Sequence, residues 1–337
     1  MNAKIVLNRL VDGANLSKKE VSNLLERIIT GELNPIQTAA ALVALRTKGE
    51  TVDEIVGCIQ TMRKYMVKIH APKAIDIVGT GGDGMGTFNI STASSFAVAG
   101  AGVSVAKHGN RAASSLCGSA DVLEALGVNI NLTPAEAEKV FAKVGMVFLF
   151  APLYHPAMKH IAPVRKELGL RTIFNFLGPF LNPAQTKKQV LGVPSIEIAK
   201  KLAQVARQLQ FHHLLLVTSE DGMDEITTTS KTNIFEIKGD QLRSYTISPE
   251  QFGIKRATKQ ELLGNDAKEN SEIIKRILKG ERGAKRDIVV FNSAAALYVA
   301  GKVKTVKEGI SLSEEAINSG AAMQILDELI KETKRYA

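Results

Sequence analysis

Apolar positions over the first 70 residues recur only at helical spacing, in Ile5–Val11, Val21–Ile29, Ile36–Leu45 and Ile55–Met66. Ser17 followed by Glu20, and Thr51 followed by Glu54, form capping-box pairs at two of the starts. Pro35 suits a first helical turn, and Gly31 and Gly49 sit where helices end. Pro72 marks a change of pattern. Short apolar runs then alternate with helical stretches. They predict strands at Ile75–Val78, Val103–Ala106, Val147–Phe150, Val190–Val193, Leu214–Val217 and Ile288–Phe291. Helices are expected to begin near Ser91, Asp121, Pro134, Ser195, Ser271, Ser293 and Ser313, and Thr133 with Glu136 makes a further capping box. Asn233–Ile247 reads as an edge hairpin around Lys238-Gly239-Asp240.

This rhythm predicts an α/β fold with a mostly parallel central sheet flanked by helices, plus a smaller all-helical N-terminal domain. The expected division is 1–70 and 71–337. His155–Gly178 breaks the rhythm with two helix-like pieces, and is expected to join the N-terminal helices.

Composition narrows the function class. A hydrophobic fraction of 45% suits a globular core, and no apolar run approaches the roughly 20 residues of a membrane span. MNAKIVLNRLVDG lacks the apolar core of a signal peptide, so a cytoplasmic protein is expected. Cys58 and Cys117 show no metal-like or CxxC spacing, and a disulfide is not expected. A net charge of +9 favours anionic partners. The basic residues are dispersed, and with no Trp and five Tyr the chain has few stacking platforms, which argues against nucleic acid.

The chemistry gathers behind the predicted strands. Residues 75–92, IDIVGTGGDGMGTFNIST, run from a buried strand into five glycines within Gly79–Gly86, then into a helix near Ser91. Glycines let backbone N–H groups approach a ligand, and the helix start adds free donors and partial positive charge. Gly79-x-Gly81-x-x-Gly84 matches a dinucleotide fingerprint by letter, but the second strand ends in Lys107-His108 where that fingerprint needs an acid. Met85-Gly86 stands where a Walker loop needs Lys and Ser or Thr. The loop is therefore read as a phosphate or pyrophosphate cradle of another kind.

A second strand empties into KHGNRAASSLCGSAD, residues 107–121, with Lys107 and Arg111 as cations and Ser114, Ser115 and Ser119 as hydroxyl donors. Cys117 in this loop reads as a small buried filler. After the Leu214–Val217 run comes SEDGMDEI, in which Asp224 and Glu225 are adjacent carboxylates. Spacing leaves two readings open, an acidic surface turn or a pair that meets phosphate through Mg²⁺.

Four ordered segments, GTGGDGMGTFNIST, KHGNRAASSLCGSADVLEALG, HPAMKHIAPVRKELGLRTIFNFLGP and DGMDE, together resemble the anthranilate phosphoribosyltransferases, and the resemblance spans essentially the whole chain. It implies transfer of a 5-phosphoribosyl group from phosphoribosyl pyrophosphate (PRPP) to the amino group of anthranilate, releasing pyrophosphate, in tryptophan biosynthesis. It implies a site between the two domains and a homodimer joined through the helical one.

By the same resemblance, PRPP is held by Gly79, Gly82, Asp83, Thr87, Asn89, Ile90, Ser91 and Thr92. Lys107, His108, Gly109, Asn110, Arg111, Ala112, Ala113, Ser114, Ser115 and Ser119 close over it. Ser91, Asp224 and Glu225 hold Mg²⁺. Gly79, Asn110 and Arg165 contact anthranilate, whose channel includes His155, Gly178 and Pro179. On the residues alone, Arg165 reads as a helix-surface charge and His155 as a packed or capping histidine. No acid–base or nucleophilic group is expected; Lys107 and Arg165 position substrates. A pyrimidine nucleoside phosphorylase and a nucleic-acid-binding module are the alternatives, and both leave Asp224–Glu225 without a purpose.

Overall fold

The structure is a computed structural model that describes residues 3–112 and 116–337. Four helices open the chain: α1 (Ala3–Val11), α2 (Lys18–Ile29), α3 (Pro35–Lys48) and α4 (Val52–Tyr65). Capping boxes form at Ser17 and Thr51, and also at Asn34, where Gln37 closes the pair. Leu24, Leu25 and Ile28 of α2 and Ile55, Ile59 and Met62 of α4 are buried. At 2.7 Å from Lys48, Glu54 also accepts from the N–H groups of Leu16 and Thr51, so its buried charge is fully paired. The segment Pro152–Leu181 is compact with these helices. Its short helical turns are tied to them by hydrogen bonds: Val67 N–H donates to the Tyr154 carbonyl, and Arg63 Nε donates to the Phe180 carbonyl at 3.0 Å.

The second compact unit spans Lys68–Ala151 and Asn182–Ala337. Its strands are β1 (Asp76–Gly79), β2 (Val105–Gly109), β3 (Met146–Phe150), β4 (Lys188–Gly192), β5 (His213–Ser219), β6 (Thr232–Lys238) and β7 (Gln241–Ile247). β1, β4 and β5 pair in parallel, and β6 and β7 add antiparallel at the edge as the expected hairpin. β2 and β3 form a separate parallel pair, joined to β1 through a single parallel bridge, Ile75 to Val105. Across that bridge the spatial order is β3, β2, β1, β4, β5, β6, β7. The chain reverses direction across the sheet at β1, and α/β sheets bind ligands at the carboxyl ends of strands at such a point. Helices α5 (Ile90–Gly100), α6 (Ser119–Leu126) and α7 (Pro134–Val144) link the first three strands.

Four expectations need correction. Ile288–Phe291 is not a strand but lies within the helix Ala284–Ala300, so Ser293 starts nothing. That helix is buried nearly all round, and its Ser293 hydroxyl bonds the Ser94 carbonyl of α5. A short apolar run without a polar face looks the same in a buried helix and a buried strand. Ser271 and Ser313 lie inside helices whose caps are Asp266 and Thr305. Both real caps accept from the third residue onward, which is the signal a serine alone lacks.

Far from the carboxyl ends, Glu236 on β6 accepts hydrogen bonds from His213 at 2.8 Å, Tyr298 at 2.7 Å and Tyr245 at 3.1 Å. Burial alone would raise its pKa, but these bonds outweigh burial and lower it to about 2. A lowered carboxylate pKa stabilises the fold above the unfolded value near 4.3 and loses that contribution as pH falls toward 2. Glu236→Gln should therefore lower stability by about 2 kcal/mol at pH 7, the scale of hydrogen bonds to a charge. Urea melts should show the difference vanish as pH falls through 4 to 2; a constant difference would refute the linkage.

Candidate active site

The glycine loop follows β1 as expected. Gly81, Gly82, Gly84 and Gly86 all have φ between 66° and 76°, a region open chiefly to glycine. Gly79 and Gly192, the last residues of β1 and β4, need glycine for another reason. A Cβ on Gly79 would meet the Asp224 carboxylate, and one on Gly192 would meet the Asp224 backbone. The acidic segment therefore lies directly over the carboxyl ends of β1 and β4. It is held there by Asn292, fully buried in the helix Ala284–Ala300, which bonds both the N–H and the carbonyl of Ile226.

Asp83 and Asp224 meet at this point. Asp224 Oδ2 accepts from Gly81 N–H at 2.8 Å, and Asp83 Oδ2 accepts from Asp224 N–H at 3.4 Å. Burial, then repulsion from Asp83, pushes Asp224 up to about 7. Burial, then the charge of Asp224, raises Glu225 well above the carboxylate range, against the pull of Lys107 and a hydrogen bond from Ser91 N–H. Carboxylate oxygens are donors of the kind that suits Mg²⁺, but among the described residues no three His, Cys, Asp or Glu side chains are grouped closely enough to hold a metal ion.

Helix α5 starts here without a side-chain cap at Asn89, and its first turn holds no acid. The Asn89 side chain instead bonds the Cys117 carbonyl at 3.1 Å and accepts from Asn270 at 3.1 Å. Asn89 thus ties the helix start to the second loop. Thr92 Oγ1 and Thr80 Oγ1 are buried without a hydrogen-bond partner among the described residues. At the helix start Ile90 N–H bonds the Phe88 carbonyl at 2.7 Å and Ser91 N–H bonds Glu225, and the orphan Thr92 hydroxyl in that first turn suits an anion.

Lys107 is not in a loop. It lies within β2, 2% exposed, with Nζ bonded to the Ile77 carbonyl at 2.6 Å and to Ser91 Oγ at 3.1 Å. Burial lowers its pKa, and the charges of Asp76 and Glu225 oppose that. His108 is buried beside it, and Asn110 is exposed beyond it. Gly109 and Gly118 let the loop double back: a Cβ on Gly118 would strike the backbone at Asn110–Ala112. Asp121 fastens that turn by accepting from Ala112 N–H at 3.0 Å and Gly118 N–H at 2.9 Å.

Arg111 is half-exposed and ion-paired with Asp121 and Glu124. Those hydrogen bonds, Glu124 first, hold its guanidinium even more firmly protonated than usual. Ser119 Oγ reaches the Asn110 carbonyl at 3.4 Å. Ala113, Ser114 and Ser115 lie outside the described residues. Thr87 bridges to Leu263, and Ile90 is buried as the first residue of α5.

The remaining predicted residues belong to the helical unit. Arg165 sits in the helix Ala162–Leu168 with its guanidinium 5.5 Å from the centre of the Phe174 ring. Its Nε is buried and has no hydrogen-bond partner among the described residues, and burial lowers its pKa. A guanidinium with an orphaned donor is a poor surface ornament and a good receptor for a carboxylate. His155 is buried, and burial lowers its pKa to about 4 against a hydrogen bond to the Leu181 backbone, so it is neutral at pH 7. Pro179 is buried and Gly178 is intermediate.

Sequence reading passed over Asp76, Asn182, Asn270 and Asn292, all buried and all hydrogen-bonded to site segments. Asp76 alone carried a signal, as a charge inside an apolar strand.

Residues 71–323 match the family described as "Glycosyl transferase family, a/b domain", and residues 4–66 match its helical bundle domain. A protein named anthranilate phosphoribosyltransferase from Acetivibrio thermocellus is 49% identical over 335 residues, covering 99% of this chain and 97% of its own. The crystal structure of anthranilate phosphoribosyltransferase from Thermus thermophilus superposes with a TM-score of 0.91 at 40% identity, covering 99% of this chain and 100% of that one. The Saccharomyces cerevisiae enzyme in complex with PRPP and Mg also gives a TM-score of 0.91, at 28% identity, over 99% of this chain and 98% of that one. With both domains matched and relatives of 49% identity over nearly its whole length, the chain belongs to the anthranilate phosphoribosyltransferase family.

Proposed function

We propose that this protein transfers the 5-phosphoribosyl group from PRPP to the amino group of anthranilate, releasing pyrophosphate, as a step of tryptophan biosynthesis. The observation that carries the reading is the convergence of Ser91, Lys107, Asp224 and Glu225 at the carboxyl ends of β1, β2 and β4. The glycine loop and the start of α5, from Gly79, Gly82 and Asp83 through Thr87 to Thr92, take the phosphates. Lys107, His108, Gly109, Asn110, Arg111, Ala112 and Ser119 are the residues of the second strand and its loop that would contact them. Ser91, Asp224 and Glu225 would hold Mg²⁺, which supplies positive charge to the leaving pyrophosphate.

Anthranilate brings an aromatic amine that is neutral at pH 7, so its lone pair attacks the ribose C1 with no prior deprotonation. As the C1–oxygen bond breaks, positive charge grows on the ribose and negative charge on pyrophosphate. Lys107 and the loop amides stabilise that negative charge and are set in place before the reaction. In the helical unit, Arg165 takes the carboxylate of the acceptor. Positioning and electrostatics carry the rate, with no covalent enzyme intermediate.

Arg165→Ala should raise the KM for anthranilate by about 10-fold or more, the cost of losing a charge-assisted pair, and leave the KM for PRPP within about twofold. Steady-state kinetics with each substrate varied would show this, and the reverse pattern would remove Arg165 from the acceptor site. The whole reading is tested by mixing protein, anthranilate, PRPP and Mg²⁺ and following anthranilate fluorescence. Folded protein that leaves the fluorescence unchanged refutes it. A nucleoside phosphorylase would instead cleave a pyrimidine nucleoside with phosphate and no metal.

No helix is long and apolar enough to cross a membrane. We place the enzyme in the cytoplasm as a homodimer joined through the helical unit, where Ile5, Val11 and Ile36 are 54%, 72% and 81% exposed.

A further inference from the structure

The sheet parts between β1 and β2. Ile75 makes both bonds of a parallel ladder, donating to Ser104 and accepting from Ala106, each at 3.0 Å. The next rung would join Ile77 to Ala106 and His108. It is missing, yet three of its four backbone groups, the Ile77 carbonyl, the Ala106 carbonyl and the His108 N–H, are hydrogen-bonded to side chains. Lys107 Nζ donates to the Ile77 carbonyl at 2.6 Å. Asn182 Nδ2 donates to the Ala106 carbonyl at 2.7 Å and to Asp76 Oδ2 at 2.8 Å. Asp76 Oδ1 accepts from His108 N–H at 3.4 Å, and the same carboxylate faces Ile77 N–H.

A side-chain rung is costlier than a backbone one, because it buries a carboxylate and an amide that must find all their partners. Asp76 is 0% and Asn182 3% exposed. The return on that cost is geometric. With the strands closed, the Ile77 carbonyl would be taken by His108, and Lys107 Nζ would lose the acceptor that fixes it beside Ser91. With them open, the ammonium sits between two strands, and His108–Asn110 leave β2 at a defined angle.

We infer that Asp76 and Asn182 are positioning residues for phosphoribosyl transfer: their side-chain rung holds β1 and β2 apart so that Lys107 and the loop behind it face PRPP. This rests on the reading that the carboxyl ends of these strands hold PRPP.

The test is kinetic, on the full-length enzyme with Mg²⁺. Asp76→Asn keeps the shape but sets an amide donor against the Asn182 donor. Its kcat/KM for PRPP should fall by about 100-fold, the scale of a misplacement near 1 Å, while the KM for anthranilate stays within about twofold. A purely structural role would lower the melting temperature or the active fraction without separating the two substrates. A folded Asp76→Asn protein with kcat/KM for PRPP within about threefold of wild type overturns the inference, as does an equal rise in both KM values. If Asp76→Asn does not fold, Asn182→Ser, which keeps one small donor, is read by the same criteria. If neither folds, the pair serves the fold alone and the inference fails. A wild type that consumes anthranilate beside unaffected variants sinks only this inference; an inert wild type sinks the proposed function with it.

Discussion

Neutralising the acidic pair, Asp224→Asn with Glu225→Gln, should lower kcat at saturating PRPP by about 10³-fold, the scale of removing a group that stabilises leaving-group charge. The folded protein should become more stable, not less. Both carboxylates have raised pKa values, Asp224 to about 7, because burial and mutual repulsion disfavour their ionised forms. An acid whose folded pKa lies above its unfolded value costs stability once pH exceeds the unfolded value near 3.9, and the cost grows until pH passes the folded pKa. The variant should therefore gain on the order of 1 kcal/mol over wild type at pH 8 without metal, and the gain should shrink toward zero by pH 4. The amide oxygen introduced at position 224 can still accept from Gly81 N–H, so the glycine loop keeps its tie. Turnover that matches wild type across a Mg²⁺ titration would remove the pair from the metal site.

Lys107→Met should lower kcat/KM for PRPP by about 10³-fold and leave the KM for anthranilate within about twofold. Methionine fills the space of the lysine stem in a site only 2% exposed, so the loss reports charge and hydrogen bonding rather than a cavity. Two acceptors would be left without their donor, the Ile77 carbonyl and Ser91 Oγ. Asp76 would also lose the cation that holds its pKa down against burial, currently to about 6. The variant should therefore be less stable than wild type at pH 8, and the gap should narrow as pH falls and Asp76 takes up a proton. Calorimetry should show weaker binding of PRPP. Unchanged PRPP affinity and turnover would mean that Lys107 serves only the strand geometry.

Domain class and the phosphate loop were legible because they rest on local rules. Capping boxes at Ser17, Thr51 and Thr133, the edge hairpin and the positive-φ glycines of Gly79–Gly86 need only neighbours in sequence. Ile288–Phe291 was misread because helix and strand look alike when every face is buried. The acidic pair was an open choice in sequence, since nothing local tells a surface turn from a buried cluster. Only tertiary packing sets Asp83 against Asp224 and seats the acidic segment over Gly79 and Gly192.

The sequence by itself determined a helical domain, a mostly parallel α/β domain, a glycine-rich loop behind the first strand and, through four ordered motifs, the family. The tertiary structure alone decided that Lys107 lies inside a strand, that Asn270 and Asn292 anchor the loops, and that Asp76 and Asn182 replace a rung of the sheet. The physical reason is range. A cap or a glycine turn is fixed by residues a few positions away, whereas the charge state and partner of a buried side chain depend on segments about 100 residues apart meeting where water is excluded.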